Sequence, residues 1–281
     1  MEIGLATTGF TTLTNDEMAQ LAVDAGATCV QLFFTQTDSS CWRYNRPMDV
    51  SAIAGAEAQR IANAYRSRGL EITALGVYGN PIEPDPSELE RNIDYFIDMM
   101  RIAREIDIPF LATEPGSVIQ PGKGKELNQS LSDEAYVRLV ESTHRIAEAA
   151  AEHEVVVLFE PYFHSLLATA KATRDFIEEI DHPNIRVQLD PANLLPHNSL
   201  DEMFQALTPY VDAIHAKDRK LHVARGVPAG QGDLEYARFV SLCREHLPHL
   251  PLIIEYVDVD TCADAIAHLK QYLQSAALEA M

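Results

Sequence analysis

Four short apolar runs in the second half of the chain each end on a residue able to bind a cation or move a proton. Val155–Phe159 runs into Glu160 and Pro161, and Ile185–Leu189 into Asp190 and Pro191. A run from Val211 to Ala216 carries His215 near its end, and Pro251–Ile254 runs into Glu255. Proline has no N–H for a sheet ladder, so Pro161 and Pro191 mark where strand pairing stops. Glu, Asp, His and Glu thus stand at the same end of four successive strands, 30, 25 and 40 residues apart, one strand–helix unit each. If the strands are parallel, the four side chains can converge on one point. Neutral imidazole with carboxylates suits one divalent cation (Mn²⁺ favoured, with Co²⁺, Mg²⁺ or Zn²⁺ also served) and does not suit an iron–sulfur or thiolate copper centre. A single strand-end acid often only caps a turn or faces water. The set of four, each at a strand exit, is what points to a cation with an acid/base pair attached.

The rest of the chain supplies the elements that must hold those residues. Ile3–Thr7 reads as a first strand, and Asn15 or Asp16 as the cap of a helix over Glu17–Asp24 closed by Gly26. Thr28–Phe34 is a second strand, Asp49–Arg68 a helix, Leu70–Val77 a third strand, Ser87–Glu105 a helix and Ile108–Thr113 a fourth strand. A Gly/Pro/Lys loop from Pro115 to about Leu131 precedes a helix that Ser132 caps and that ends near His153. Four more strands follow, with helices expected over Thr173–Ile180, Leu200–Leu207, Leu234–Glu245 and Cys262–Leu273. Eight alternating strand–helix units with no break in composition predict an α/β fold, a (β/α)8 TIM barrel in a single domain spanning residues 1–281. Long βα loops against short αβ returns place function on the face where the four polar residues exit. A period of two puts Arg186 and Gln188 on the side of Asp190. They read as polar groups beneath the ligands, Arg186 near the barrel floor.

Bulk properties narrow the partners. A formal net charge of −20 is the wrong sign for a phosphate-tracking groove, so nucleic acid is not expected. Cys29, Cys41, Cys243 and Cys262 form no C-x-x-C pair, which fits a reducing cytoplasm better than a disulfide framework or a zinc cage. No basic-then-apolar leader is present, and no apolar run reaches the ~20 residues of a membrane helix, so no membrane partner is expected. A homo-oligomer is allowed, with the polar and aromatic loop Thr35–Pro47 as its candidate contact.

The segments Phe159-Glu160-Pro161, Leu189-Asp190-Pro191, His215-Ala216-Lys217-Asp218, Gly230-Gln231-Gly232-Asp233 and Ile254-Glu255 together resemble the xylose-isomerase-like barrel superfamily. Within it they look most like the sugar isomerase/epimerase branch that holds ketose 3-epimerases and hydroxypyruvate isomerase. The resemblance implies that Glu160, Asp190, His215 and Glu255 bind one divalent metal and that Glu160 and Glu255 are the proton-transfer pair. A proton next to a carbonyl would be removed by one glutamate, through an enediolate, and returned to the opposite face or to the neighbouring carbon. With a leaving group in the β position, the same residues would make a lyase or dehydratase on a cyclic keto-sugar of the inosose or dehydroshikimate type. A third reading is a carbohydrate-binding barrel or enzyme subunit without turnover. The three-zinc nuclease branch would need histidines where this chain has Val77-Tyr78, Thr113-Glu114 and Asn193. Asn193 stands where many members carry a histidine; an amide can bind a hydroxyl but cannot carry a proton. Lys217, Arg225, Trp42 and Glu114 are the remaining candidates for contact with a small sugar or keto-polyol, each with a bland alternative as a surface cation, loop anchor or turn cap. His164 and His197 read as solvated loop residues, and His153, His246 and His249 receive no role.

Overall fold

The apolar runs pair as eight parallel strands: β1 Ile3–Ala6, β2 Cys29–Leu32, β3 Glu71–Gly76, β4 Phe110–Thr113, β5 Val156–Phe159, β6 Ile185–Leu189, β7 Val211–His215 and β8 Leu252–Ile254. The structure is a computed structural model that describes residues 1–120, 124–125, 127–223 and 225–279. The sheet closes on itself when β1 pairs with β8, so the predicted (β/α)8 barrel is the fold. Helices α1 Asn15–Ala25, α2 Ala56–Arg66, α3 Pro86–Glu105, α4 Asp133–Glu152, α5 Ala170–Ile180, α6 Leu200–Leu207, α7 Tyr236–His246 and α8 Cys262–Glu279 follow the strands in turn. No helix among the described residues is long and apolar enough to cross a membrane.

Several boundaries differ from the sequence reading, each for a local reason. Thr14, not Asn15 or Asp16, caps α1 through a reciprocal capping box with Glu17, which leaves Asn15 inside the helix. Gly26 closes it in the left-handed conformation, as expected. The helix predicted from Asp49 begins only at Ala56, because Asp49 folds its carboxylate back onto the Ser51 N–H and Gly55 adopts φ 66°. Thr169 caps α5 three residues earlier than predicted. The loop read from Pro115 to Leu131 contains an antiparallel ribbon, Ile119–Gln120 with Gly124–Lys125, and a helical turn, Leu127–Ser130; its residues 121–123 and 126 lie outside the described residues.

Two apolar layers follow from strand parity. Outward-facing residues and the helices form the large core, while Ala6, Cys29, Phe33, Tyr78 and Ile253 form a small cluster inside the barrel, with Trp42 packed against it. Small residues make that interior roomy: a Cβ at Gly76 would sit 2.0 Å from the Phe33 ring. The room is taken by polar groups on the inward parity, among them Gln31 and Gln188, both 1% exposed. At the barrel floor Arg186 pairs with Asp212 at 2.8 Å and donates to the Pro209 carbonyl, as the alternation suggested.

Candidate metal centre

Parallel register brings the four strand exits together. Leu189 pairs with Ile214, so Asp190 follows level with His215; Ile253 pairs with His215, so Glu255 comes two residues beyond that level, where the strand ends. Glu160 extends β5 by donating its N–H to the Thr113 carbonyl. One ligand atom from each of Glu160, Asp190, His215 and Glu255 lies within 4.8 Å of the others, and three of the four residues are fully buried.

Each of these side chains is aimed by its neighbours. Glu160 Oε2 accepts from Tyr78 Oη and Gln188 Nε2, both at 2.8 Å, and Oε1 accepts from Asn193 Nδ2 at 2.8 Å. Asp190 caps the short helical turn Pro191–Leu194 with Oδ1, which turns Oδ2 toward the centre. His215 Nε2 meets the Gln31 amide oxygen, which leaves Nδ1 facing Glu160 Oε1 at 3.5 Å and Glu255 Oε2 at 3.7 Å. Asp190 Oδ2 and His215 Nδ1 are buried and have no hydrogen-bond partner among the described residues. Two such atoms, facing two further carboxylates, fit a divalent cation: buried polar atoms are otherwise satisfied.

Lys217 supplies the local positive charge. Its Nζ lies 2.7 Å from Asp190 Oδ2, out of line for a hydrogen bond, and donates to Glu255 Oε2 at 2.8 Å. Burial opposes its charge, but Asp190, Glu255 and Glu160 outweigh burial and hold its pKa well above the usual lysine range. Burial would likewise raise Glu160, yet His215 and Lys217 hold that carboxyl well below its usual range. In Asp190 burial wins and the pKa rises. Desolvation disfavours the His215 cation, but Glu160, Glu255 and Asp190 outweigh it and raise its pKa.

Above the four residues a cavity of about 360 Å³ opens, lined by Phe33, Trp42, Tyr44, Tyr78, Glu114, Lys217, Arg225, Glu255 and Tyr256 among others. Trp42, Glu114, Lys217 and Arg225, four of the candidates for substrate contact, all line this cavity. Tyr44 Oη donates to Glu114 Oε2 at 2.5 Å across the mouth. Tyr256 holds the left-handed conformation (φ 60°) and sets its ring 4.7 Å from Lys217 Nζ. That conformation costs a bulky residue about 1–3 kcal/mol, so the surroundings must impose it. Asn193 lines an adjoining cavity with His164 and Arg219, and its amide is engaged by Glu160 and Arg219. His197 packs toward Phe163 and lines neither cavity.

Sequence reasoning missed Gln31, Tyr78, Arg219 and Tyr256 as parts of the site. Gln31 carried a signal, a lone amide inside the apolar run Thr28–Phe34 on the same parity as Cys29. Asp218, beside Lys217, is structural: its carboxylate accepts from the N–H groups of Arg219, Gly232 and Leu234. A Cβ at Gly232 would stand 2.2 Å from Asp218 Oδ1, which explains a glycine there.

Comparison with known proteins agrees with this architecture. The chain is 23% identical over 242 residues to the L-ribulose-5-phosphate 3-epimerase UlaE of Escherichia coli, covering 85% of this chain and 81% of that protein. It is 27% identical over 96 residues to a 3-dehydroshikimate dehydratase of Bacillus anthracis, a match spanning 34% of each chain. The chain thus spans about a third of that dehydratase's length in the match. A solved D-tagatose 3-epimerase-like protein superposes with a TM-score of 0.81 at 14% identity over the whole of both chains, which is a likeness of fold. A family model matches residues 19–276, nearly the full circuit of strands just described, and the chain belongs to the xylose isomerase-like TIM barrel family.

Proposed function

We propose that this chain is a divalent-metal-dependent sugar isomerase or epimerase that moves a proton next to a carbonyl. The observation that carries the reading is the convergence of Glu160, Asp190, His215 and Glu255 within 4.8 Å, with Asp190 Oδ2 and His215 Nδ1 buried and making no hydrogen bond among the described residues. The four would hold one cation, Mn²⁺ by preference, which when bound would stabilise negative charge developing on a substrate oxygen. The likeness to a ribulose-phosphate 3-epimerase over most of the chain supports the same chemistry.

The two glutamates are unequally placed for it. Glu255 lines the cavity and can take or return a proton on the face it overlooks. Glu160 lies beneath, with Lys217 Nζ 3.7 Å from its Oε1, and is oriented by Tyr78, Gln188 and Asn193. Lys217 and Arg225 would bind oxygen atoms of a small sugar or keto-polyol, and Trp42 with the neighbouring aromatic rings would cover its apolar face. Glu114 would accept from a hydroxyl, and Asn193 would fix Glu160 rather than carry a proton. A dehydratase on a cyclic keto-sugar is the second reading, favoured by the match to the B. anthracis enzyme.

Purified protein supplied with Mn²⁺ in D₂O, offered a panel of ketoses, inososes and dehydroshikimate, separates these readings by NMR. Deuterium entry next to the carbonyl with retention of all oxygens is the expected result; loss of water indicates the lyase. Glu160→Gln keeps the fold and should slow exchange about 10²–10⁴-fold, the range typical of a positioned acid/base group. Wild-type exchange in that variant would remove Glu160 from the chemistry.

A further inference from the structure

The mechanism above uses one nitrogen of His215, and the barrel interior contains a device that selects it. Gln31 on β2 and Gln188 on β6 are 157 residues apart in sequence, yet they meet inside the barrel with Gln31 Nε2 3.0 Å from Gln188 Oε1. Gln188 Nε2 continues to Glu160 Oε2 at 2.8 Å, and Gln31 Oε1 meets His215 Nε2. Both amides are 1% exposed, so water cannot substitute for any member.

The direction of this relay is fixed from one end. A carboxylate only accepts, so Gln188 must present its NH₂ to Glu160. Its oxygen then faces Gln31, which must donate, and so Gln31 turns its own oxygen to His215. An amide oxygen also only accepts, so Nε2 of His215 carries a proton. In a neutral imidazole the lone pair then lies on Nδ1, the atom without a hydrogen-bond partner that faces Glu160 and Glu255.

We propose that Gln31 and Gln188 are positioning residues that set His215 Nδ1, and not Nε2, as the cation-binding atom, using the Glu160 carboxylate as the reference that orients both amides. The proposal rests on the reading of the four residues as a metal centre. One ligand, Glu160, thereby fixes the tautomer of another, His215, through two side chains that touch no cation themselves. Partners that orient a ligating histidine typically change metal affinity 10–100-fold when removed.

The test uses full-length protein labelled with ¹⁵N-histidine and loaded with Zn²⁺, which is diamagnetic. In the wild type, a long-range ¹H–¹⁵N spectrum should show the His215 Nε2 protonated in a hydrogen bond and Nδ1 shifted by the metal. Gln31→Met preserves volume and removes both hydrogen bonds. It should weaken Zn²⁺ binding by calorimetry about 10–100-fold and expose the Nε2 proton to fast exchange. Gln31→Glu keeps the acceptor for Nε2–H, so the protected proton should persist there although the link to Gln188 is cut. A residue that merely fills space would leave the proton's exchange unmoved in both variants. Zinc on Nε2 in the wild type overturns the proposal without need of a variant. So does wild-type Zn²⁺ affinity in a folded Gln31→Met protein, while the metal centre stands. A wild type that binds neither Zn²⁺ nor Mn²⁺ overturns the metal centre and this proposal together.

Discussion

The guanidinium of Arg219 reaches acceptors on three sides: Nε donates to the Ala192 carbonyl at 2.7 Å, Nη1 to the Val223 carbonyl at 3.0 Å and Nη2 to Asn193 Oδ1 at 3.3 Å. Its Cζ also lies 4.6 Å from the centre of the Phe163 ring. A planar fork can serve divergent acceptors from one buried position, whereas a lysine offers a single point. Arg219→Lys should therefore leave the buried Ala192 carbonyl unsatisfied and destabilise the fold by about 1–3 kcal/mol. Urea denaturation should show the midpoint falling with an unchanged slope; a midpoint shift under about 0.5 kcal/mol equivalent would show the contacts to be dispensable. Through Asn193 the same change loosens Glu160, so the loss of activity should exceed what the loss of folded protein explains.

At the scale of elements, the α1 terminus is tied to the long loop after β2. The Asp38 carboxylate accepts from the Asn15 backbone N–H and amide, at 2.9 and 2.8 Å, and from Arg60 of α2 at 2.9 Å. Partial burial pushes the Asp38 pKa up, but these donors outweigh it and the net shift is downward. A carboxyl whose folded pKa is depressed adds stability above its unfolded pKa, near 3.9, and loses it as the pH falls through the folded value. Asp38→Ala should cost about 1 kcal/mol at neutral pH, a modest figure because the group is partly solvated. The gap from wild type should close below about pH 4. A gap that stays constant from pH 7 to pH 3 in thermal melts would show that the charge plays no part. The same loop carries Trp42 and Tyr44 into the cavity, so its anchoring to α1 and α2 fixes one wall of the site.

For the molecule as a whole, a cation bound between four strands links elements that are distant in sequence. A ligand that binds only the folded state at 100 times its dissociation constant adds about 2.7 kcal/mol. For a chain of this size, at about 2 cal/mol/K of unfolding entropy per residue, that corresponds to a rise of roughly 4–5 °C in Tm. Mn²⁺ should produce that rise in the wild type, a chelator should reverse it, and Asp190→Ala should abolish it. A melting temperature indifferent to Mn²⁺, Co²⁺, Mg²⁺ and Zn²⁺ would contradict a metal centre at this position. Much of this was legible beforehand, because Glu160, Asp190, His215 and Glu255 each sit at the one place in a strand where pairing stops and a side chain clears the barrel. The helix start at Ala56, against Asp49 predicted, was not legible, because Asp49 and Gly55 settle it through local hydrogen bonding and a left-handed turn.

Local chemistry is written in order along the chain, so strand exits, prolines, the parity of Gln188 and Arg186, and the eightfold alternation follow from sequence alone. Closure of the sheet is not local. It alone brings Gln31 to Gln188, sets Lys217 Nζ 2.7 Å from Asp190 Oδ2, and leaves Nδ1 of His215 facing two carboxylates. Those contacts depend on strand register and on small inward residues elsewhere, such as Gly76, that make room for larger ones. A side chain's type states which bonds it can form, and only packing decides which partner is within about 3 Å to form them.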